Sequence, residues 1–249
     1  MYKALILAGG MGSRLGKLTK DKPKPMMRVN SKPILYHLIN GLKIHGIKDI
    51  HISIGYKSDK IIDYFGSGYK FGVKITYHKE DKPLGTGGAI KNIASKWKEP
   101  FYLLWGDNLA NINYIELMKE FTKQKTRLLV TLTHREDVEN YGVVKIKKGI
   151  KRKVHILKFV EKPSRAHAPS EWISAGFFVM NPKLLSLLPE GKCSIEKDLF
   201  EKIVSTEEIL GYYHDGYWFP TDTPEKLLHV NNMWLLRKNK FSSKNYSTI

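Results

Sequence analysis

The chain opens with Lys3-Ala4-Leu5-Ile6-Leu7-Ala8-Gly9-Gly10-Met11-Gly12-Ser13-Arg14, and the reading of this stretch decides the fold. A short apolar run that stops at glycines predicts a buried strand over 3–8 emptying into a loop. Glycines allow positive φ and let successive N–H groups face one anion-favouring concavity, to which Arg14 adds a charge with several donors. The spacing matches neither the dinucleotide-binding G-x-G-x-x-G nor a phosphate loop ending in Gly-Lys-Ser/Thr. Alone, the turn would also suit a plain strand-to-helix connection.

Working outward, strand and helix patterns alternate. A helix is expected over 34–45 with its stop at Gly46, a strand over 49–54, and a helix over 58–65 capped by Ser58. Strands over 73–77, 101–105 and 127–133 then alternate with helices over 86–97 and 113–121. This order predicts an α/β fold of three layers, a mostly parallel central sheet covered on both faces and joined by right-handed crossovers. Ligands of such sheets bind at the carboxyl ends of strands, so residues 9–14 and Gly106-Asp107 should share a rim. From about 141 the strand patterns 142–146, 154–160 and 172–180 carry fewer helices between them. They predict a small antiparallel extension supplying the second half of the pocket. Helices are expected over 194–203 and 224–237, and a frayed polar tail over 242–249. There is no internal repeat, and so no appended β-helix.

Composition narrows the function classes. With 42% apolar and 27% charged residues among 249, the chain is an ordinary folded protein rather than a disordered one. The lone Cys193 excludes an internal disulfide and a multi-cysteine zinc site, and points to a reducing compartment. The opening apolar run is too short for a signal peptide, and no stretch nears the roughly 20 apolar residues of a membrane span. A cytoplasmic location without membrane contact is therefore expected. The net charge of +18 raises nucleic acid as a partner, but the lysines are scattered. The one dense basic run, 145–153, reads as a hairpin turn. It has no interleaved aromatic residue to stack on bases, which argues against nucleic acid. The histidines show no metal-ligand spacing, and the tryptophans, Trp105 included, read as core, with Trp172 and Trp218 as candidates for a ligand contact.

A second chemical cluster follows the first. In Lys22-Pro23-Lys24-Pro25-Met26 the prolines stiffen the chain around Lys24 and fix its ammonium ten residues after Arg14. Together with Leu7–Leu15 as read above, this run resembles the signature of the sugar-phosphate nucleotidylyltransferases. The resemblance continues in Pro83-Leu84-Gly85-Thr86-Gly87-Gly88, Gly106-Asp107-Asn108, Phe159-Val160-Glu161-Lys162-Pro163 and Ala175-Gly176-Phe177-Phe178-Val179, covering about 3–235. It implies the nucleotide-diphospho-sugar transferase fold, one domain over 1–240. Its nucleotide-binding half would run to about 135 and its sugar-phosphate half from 136.

The resemblance also implies roles. Leu7, Ala8, Gly9, Gly10, Gly12, Ser13 and Arg14 would cradle a nucleoside triphosphate. Lys24 would steady the α-phosphate and the departing pyrophosphate. Glu80, Gly85 and Thr86 would lie on the nucleotide side, Gly85 and Glu80 toward the base. Asp107 would ligate Mg²⁺, whose hardness suits carboxylate oxygens. Glu161 would accept a sugar hydroxyl and Lys162 would hold the sugar phosphate. Adjacent strand residues point to opposite faces, which counts against a simple ion pair between these two. Gly142 would let the sugar approach the backbone, and Ser174 stands where many members carry Asn.

The carboxyl-terminal run departs from the commonest pattern. Many members carry Trp-x-Asp-x-Gly-Thr, whereas Trp218-Phe219-Pro220-Thr221-Asp222-Thr223 places its aspartate two residues later. That arrangement resembles the glucose-1-phosphate cytidylyltransferases and assigns the second Mg²⁺ ligand to Asp222. The run at 83–88 and Ser194-Ile195-Glu196-Lys197-Asp198 are instead similar to the mannose- and heptose-1-phosphate guanylyltransferases. The base is accordingly expected to be cytosine or guanine, with the sugar open. The implied reaction joins a nucleoside triphosphate to a sugar 1-phosphate, releasing pyrophosphate, in an enzyme that could self-associate as a homo-oligomer. Two rivals keep the fold: a cytidylyltransferase for a non-sugar phosphate such as phosphocholine, and a non-catalytic regulatory relative. The latter is opposed by the presence of Lys24, Asp107 and Lys162.

Overall fold

The opening run does form a buried strand. A computed structural model describes residues 2–241 apart from 81, 148, 150, 151 and 207. The expected tail, and part of the expected basic turn, therefore lie outside the described residues. Lys3–Leu7 is β1, with Ala4, Leu5 and Ile6 fully buried. Two short strands, Arg28–Val29 (β2) and Lys32–Pro33 (β3), form a ribbon leading into Ile34–Ile44 (α1). Asp49–Ile54 (β4), Ser58–Phe65 (α2), Lys74–Lys79 (β5) and Gly85–Ala94 (α3) follow. Phe101–Trp105 (β6) runs into Asn108–Ala110 (β7), then Tyr114–Gln124 (α4) and Leu128–His134 (β8). The remaining strands are Gly142–Lys147 (β9), Lys153–Glu161 (β10), Trp172–Met180 (β11), Ile209–Tyr213 (β12) and Trp218–Pro220 (β13). A π-turn, Glu196–Phe200, continues into Glu201–Ile203 (α5), and Pro224–Phe241 (α6) ends the described chain.

Nine strands form one sheet in the order β5-β4-β1-β6-β11-β8-β12-β10-β9. The run β5-β4-β1-β6 is parallel throughout, as the alternation of strand and helix requires. The antiparallel strands are not confined to one margin: β11 lies in mid-sheet between β6 and β8, antiparallel to both. Strands β10 and β9 extend the same sheet beyond β12. Side chains alternate between the two faces. Ala4 and Ile6 of β1 and Tyr102 and Leu104 of β6 pack with α1 and α4. Leu5, Phe101 and Leu103 pack against Ile90 and Ala94 of α3 and Leu199, Phe200 and Ile203 of the π-turn and α5. The period of two thus produces the expected three layers.

Some local expectations needed correcting. Ser58 does not cap α2 from outside; Lys57, in the left-handed region at φ 48°, precedes the helix and Ser58 is its first residue. Helix α3 ends at Ala94 rather than 97, and β12 was not foreseen at all. Among the described residues no helix is long and apolar enough to cross a membrane.

Candidate active site

Strands β1 and β6 are parallel neighbours with Leu7 in register with Trp105, so their continuations leave the sheet at the same edge. The Gly106 N–H donates to Leu7 O at 2.9 Å. A side chain at Gly106 would put its Cβ 2.5 Å from that oxygen, so only glycine permits the crossing. The two loops border a cavity of about 410 Å³. The β1 turn contributes Leu7, Ala8, Gly9, Gly10, Gly12, Ser13 and Arg14 to its wall, and Lys24 and Asp107 lie beside them. Of the turn's glycines only Gly12 has positive φ, at 66°, where a Cβ would sit 2.9 Å from Lys24 Cβ. Close packing of the turn on Lys24 is therefore built into the backbone.

The carboxylates at 107 and 222 meet in this cavity. The β7–β13 ribbon pairs Asn108 with Pro220, and Asp107 O accepts from Thr221 N–H at 3.2 Å and Thr221 Oγ1 at 2.7 Å. Both aspartates thereby face the β1 turn. Lys24 Nζ lies 2.8 Å from Asp107 Oδ2, and Arg14 Nη1 lies 3.1 Å from Asp222 Oδ2. Burial opposes the charge on Asp222, but the ammonium groups of Lys226 and Lys24 hold its carboxyl below the usual carboxylate range. Its Oδ1 is buried without a hydrogen bond, although Lys226 Nζ is 3.1 Å away.

At the other end, β9 and β10 set Gly142 opposite Glu161. Lys162 Nζ lies 2.7 Å from Glu161 Oε1, so the neighbour ion pair that strand alternation argues against does form. The reason is local: Lys162 leaves the strand at φ 49°, and alternation ends one residue before it. Burial pushes the Glu161 carboxyl up, with Glu196 adding to the rise and Lys162 opposing it. A Cβ at Gly142 would fall 2.4 Å from Phe159 Cζ and 3.1 Å from Glu161 Oε2, so this glycine admits the protein's own side chains. Ser174 lines the wall, with its Oγ accepting from Gly176 N–H at 3.4 Å.

Two residues expected on the nucleotide side are not on the wall. Glu80 is half-buried beside Gly9, where its Oε1 accepts from Ser53 Oγ at 3.0 Å and its Oε2 from Leu84 N–H at 2.9 Å. Gly85, at φ 71°, is exposed, and a Cβ there would meet Cys193 O at 2.4 Å. Thr86 does line the cavity, but its hydroxyl donates to Glu196 Oε2 at 2.8 Å, which ties it to the Glu161 end.

The sequence reading missed several wall residues. Glu196, whose run 194–198 assigns it no role, is buried and also accepts from Ser194 Oγ at 2.7 Å. Tyr141, Asn108 and Trp105 line the cavity as well. Trp105 packs with the core, as expected, and also borders the cavity, whereas Trp218 is buried with its indole N–H on Ala175 O at 2.8 Å. Trp172 packs on Tyr213, ring centroids 4.3 Å apart, away from the wall. Lys226 lies behind Asp222; its position four residues after the aspartate, across a helix start at Pro224, was a legible signal.

Charge on the wall differs from charge on the whole. Within a chain of +18, the lining holds three cationic side chains, Arg14, Lys24 and Lys162, and four carboxylates, Asp107, Asp222, Glu161 and Glu196. The formal excess of one carboxylate is offset by Lys226, whose ammonium lies 3.1 Å from Asp222 behind the wall. Two carboxylates on one wall, each paired with a cationic side chain of the β1 turn or Lys24, suit a hard divalent ion that retains some of its waters, such as Mg²⁺.

Comparison with known proteins gives consistent results. The family profile described as nucleotidyl transferase matches residues 3–235. A mannose-1-phosphate guanyltransferase of Yarrowia lipolytica is 32% identical over 242 residues, which cover 96% of this chain and 65% of that protein. A glucose-1-phosphate cytidylyltransferase of Salmonella typhimurium is 30% identical over 255 residues, covering 93% of this chain and 95% of the relative. Among solved structures, HddC from Yersinia pseudotuberculosis, complexed with GMP-PN, superposes with a TM-score of 0.78 at 29% identity, covering 94% of this chain and all of that one. A UDP-glucose pyrophosphorylase complexed with UDP-glucose, 22% identical, shares the fold with a TM-score of 0.82, over 95% of this chain and 99% of that one.

Proposed function

The chain belongs to the nucleotidyl transferase family, and from that premise we propose that it condenses a nucleoside triphosphate with a sugar 1-phosphate, yielding a nucleotide sugar and pyrophosphate. The observation that carries this reading is the single cavity with Arg14, Lys24, Asp107 and Asp222 at one end and Glu161 and Lys162 at the other. CTP or GTP is the proposed donor, in keeping with the names of the two relatives.

A phosphate oxygen of the sugar 1-phosphate attacks the α-phosphorus in line, one O–P bond forms, and the bond to the pyrophosphate oxygen breaks. The nucleophile is already anionic, so no side chain must remove a proton. Catalysis then rests on positioning and charge compensation. In this reading the phosphates draw Lys24 and Arg14 away from Asp107 and Asp222, exchanging one anionic partner for another. Lys162 holds the acceptor phosphate, and Glu161 and Glu196 offer carboxylate oxygens to sugar hydroxyls. Asp107 and Asp222 would hold Mg²⁺, which supplies charge neutralisation between the two phosphates when bound. The enzyme is read as cytoplasmic.

The test is a panel of CTP, GTP, UTP and dTTP against glucose 1-phosphate, mannose 1-phosphate and phosphocholine, with pyrophosphate release measured in Mg²⁺. Release with CTP or GTP and a sugar phosphate is expected. Release with phosphocholine alone would transfer the activity to the non-sugar rival.

A further inference from the structure

We propose that Lys226 is a positioning residue for this reaction: its ammonium braces Asp222 and Tyr141 together, linking the carboxylate beside Arg14 to the strand end that carries Lys162. The inference rests on the reading above, and Lys226 itself is absent from the cavity wall.

The placement follows from the start of α6. Pro224 fits a first helical turn, where no N–H partner is needed, and Lys226 N–H donates to Thr223 Oγ1 at 3.3 Å. Four residues from Asp222, the side chain turns back along the helix toward the cavity. Its ammonium donates to Tyr141 OH at 3.0 Å, lies 3.1 Å from Asp222 Oδ1 and 3.9 Å from Asp137 Oδ2. An exposed i,i+4 ion pair would contribute little. Here the side chains of Lys226 and Asp222 are only 25% and 15% exposed, and the same ammonium also engages a wall residue.

Each arm reaches a residue with a place in the reaction. Asp222 Oδ2 is held by Arg14. Once phosphate draws Arg14 away, Lys226 stays beside that carboxylate and keeps the group turned toward the cavity. Tyr141 packs edge-on against buried Trp218, ring centroids 5.5 Å apart, and its carbonyl accepts Lys162 N–H at 3.0 Å. Lys162 sits at φ 49°, a conformation a non-glycine residue keeps only when its surroundings impose it. Anchoring the Tyr141 hydroxyl therefore helps to fix where Lys162 points.

The test compares Lys226→Met, Lys226→Arg and Tyr141→Phe with wild type, using the donor and acceptor pair that the panel selects. Lys226→Met should lower kcat about 30-fold and raise the acceptor KM about tenfold, a loss of the order seen when a group that orients the reactants is removed. Donor triphosphate binding in EDTA should stay within twofold, whereas a general loosening of α6 would weaken both substrates and lower the melting temperature. Lys226→Arg should recover most of the kcat, and Tyr141→Phe should reproduce the KM effect with a smaller loss of kcat. Adding Lys226→Met to Asp222→Asn should lower kcat little further, because that loss acts through one carboxylate, while the acceptor KM should still rise through the Tyr141 arm. Wild-type kinetics in Lys226→Met, or full additivity with Asp222→Asn in kcat, overturns the proposal. A wild-type enzyme that releases no pyrophosphate with any pair instead overturns the functional reading, and this inference with it.

Discussion

The two ends of the cavity solve opposite electrostatic problems. At the β1 turn every cation is matched to a carboxylate brought from far along the chain, Lys24 to Asp107 and Arg14 to Asp222. At the other end Lys162 is matched only to its own neighbour, and buried Glu196 adds a further carboxylate to the wall. The first arrangement suits exchange: an incoming polyphosphate replaces one anion by another, and the released carboxylates become available to a cation. The second suits neutral donors such as hydroxyl groups, which hydrogen-bond to buried carboxylate oxygens without adding charge.

That contrast can be broken in four ways, taken from the largest effect down. Asp107→Ala should cut turnover by about 10²–10³-fold, the range for removing one group that stabilises developing charge, with melting temperature little changed. Activity near wild type would remove Asp107 from the site. Lys162→Met should lower kcat/KM for the acceptor by about 10²-fold, since a charged hydrogen bond is worth roughly 1.5–3 kcal/mol, while donor KM moves less than twofold. An equal effect on both substrates would erase the division between the ends. In EDTA, titration calorimetry should show the donor triphosphate binding several-fold more tightly to Asp222→Asn than to wild type, because Arg14 no longer has a competing partner. Glu161→Gln, which frees neither Arg14 nor Lys24, should leave that affinity unchanged; an equal gain there would reduce the pairing to diffuse charge.

The smallest effect lies far from the cavity, and marks where the comparison ends. His51 Nδ1 and His78 Nε2 are 2.8 Å apart on β4 and β5, and burial pushes the His51 imidazole down to about 4. A native pKa below the unfolded value of 6.5 means that the unfolded chain takes up a proton the fold refuses. Stability should therefore fall as pH drops from about 6.5 toward 4, lowering the melting temperature by about 2–4 °C per kcal/mol lost. In His51→Gln the melting temperature should depend less on pH over that window, with no change in kinetics at neutral pH. An unaltered slope would dismiss the histidine as its source.

What was legible in the sequence was local. The apolar run with its glycines, the proline-braced Lys24, and the strand ends at Trp105 and Glu161 each announce themselves within a few residues, because backbone propensity and side-chain period act over that range. What failed was set at longer range or by a single dihedral. Strand β12 is a five-residue run whose pairing with β8 and β10 decides it. The Glu161–Lys162 pair depends on one positive φ, which strand alternation does not anticipate. Trp105 and Trp218 sit in similar apolar contexts, and only their places in the sheet and the β7–β13 ribbon separate a wall residue from a buried one.

The sequence by itself determined the layered fold, the rim where the site would lie, and most of the residues able to handle phosphate, since each of these follows from periodicity and residue chemistry. Only the tertiary structure decided who partners whom: that Asp107 and Asp222 meet across a two-stranded ribbon, that Glu80 accepts from Ser53 and Leu84, and that Lys226 reaches both Asp222 and Tyr141. Those outcomes depend on contacts between residues scores of positions apart, and no local pattern encodes the distance between two side chains that only the packed sheet brings together.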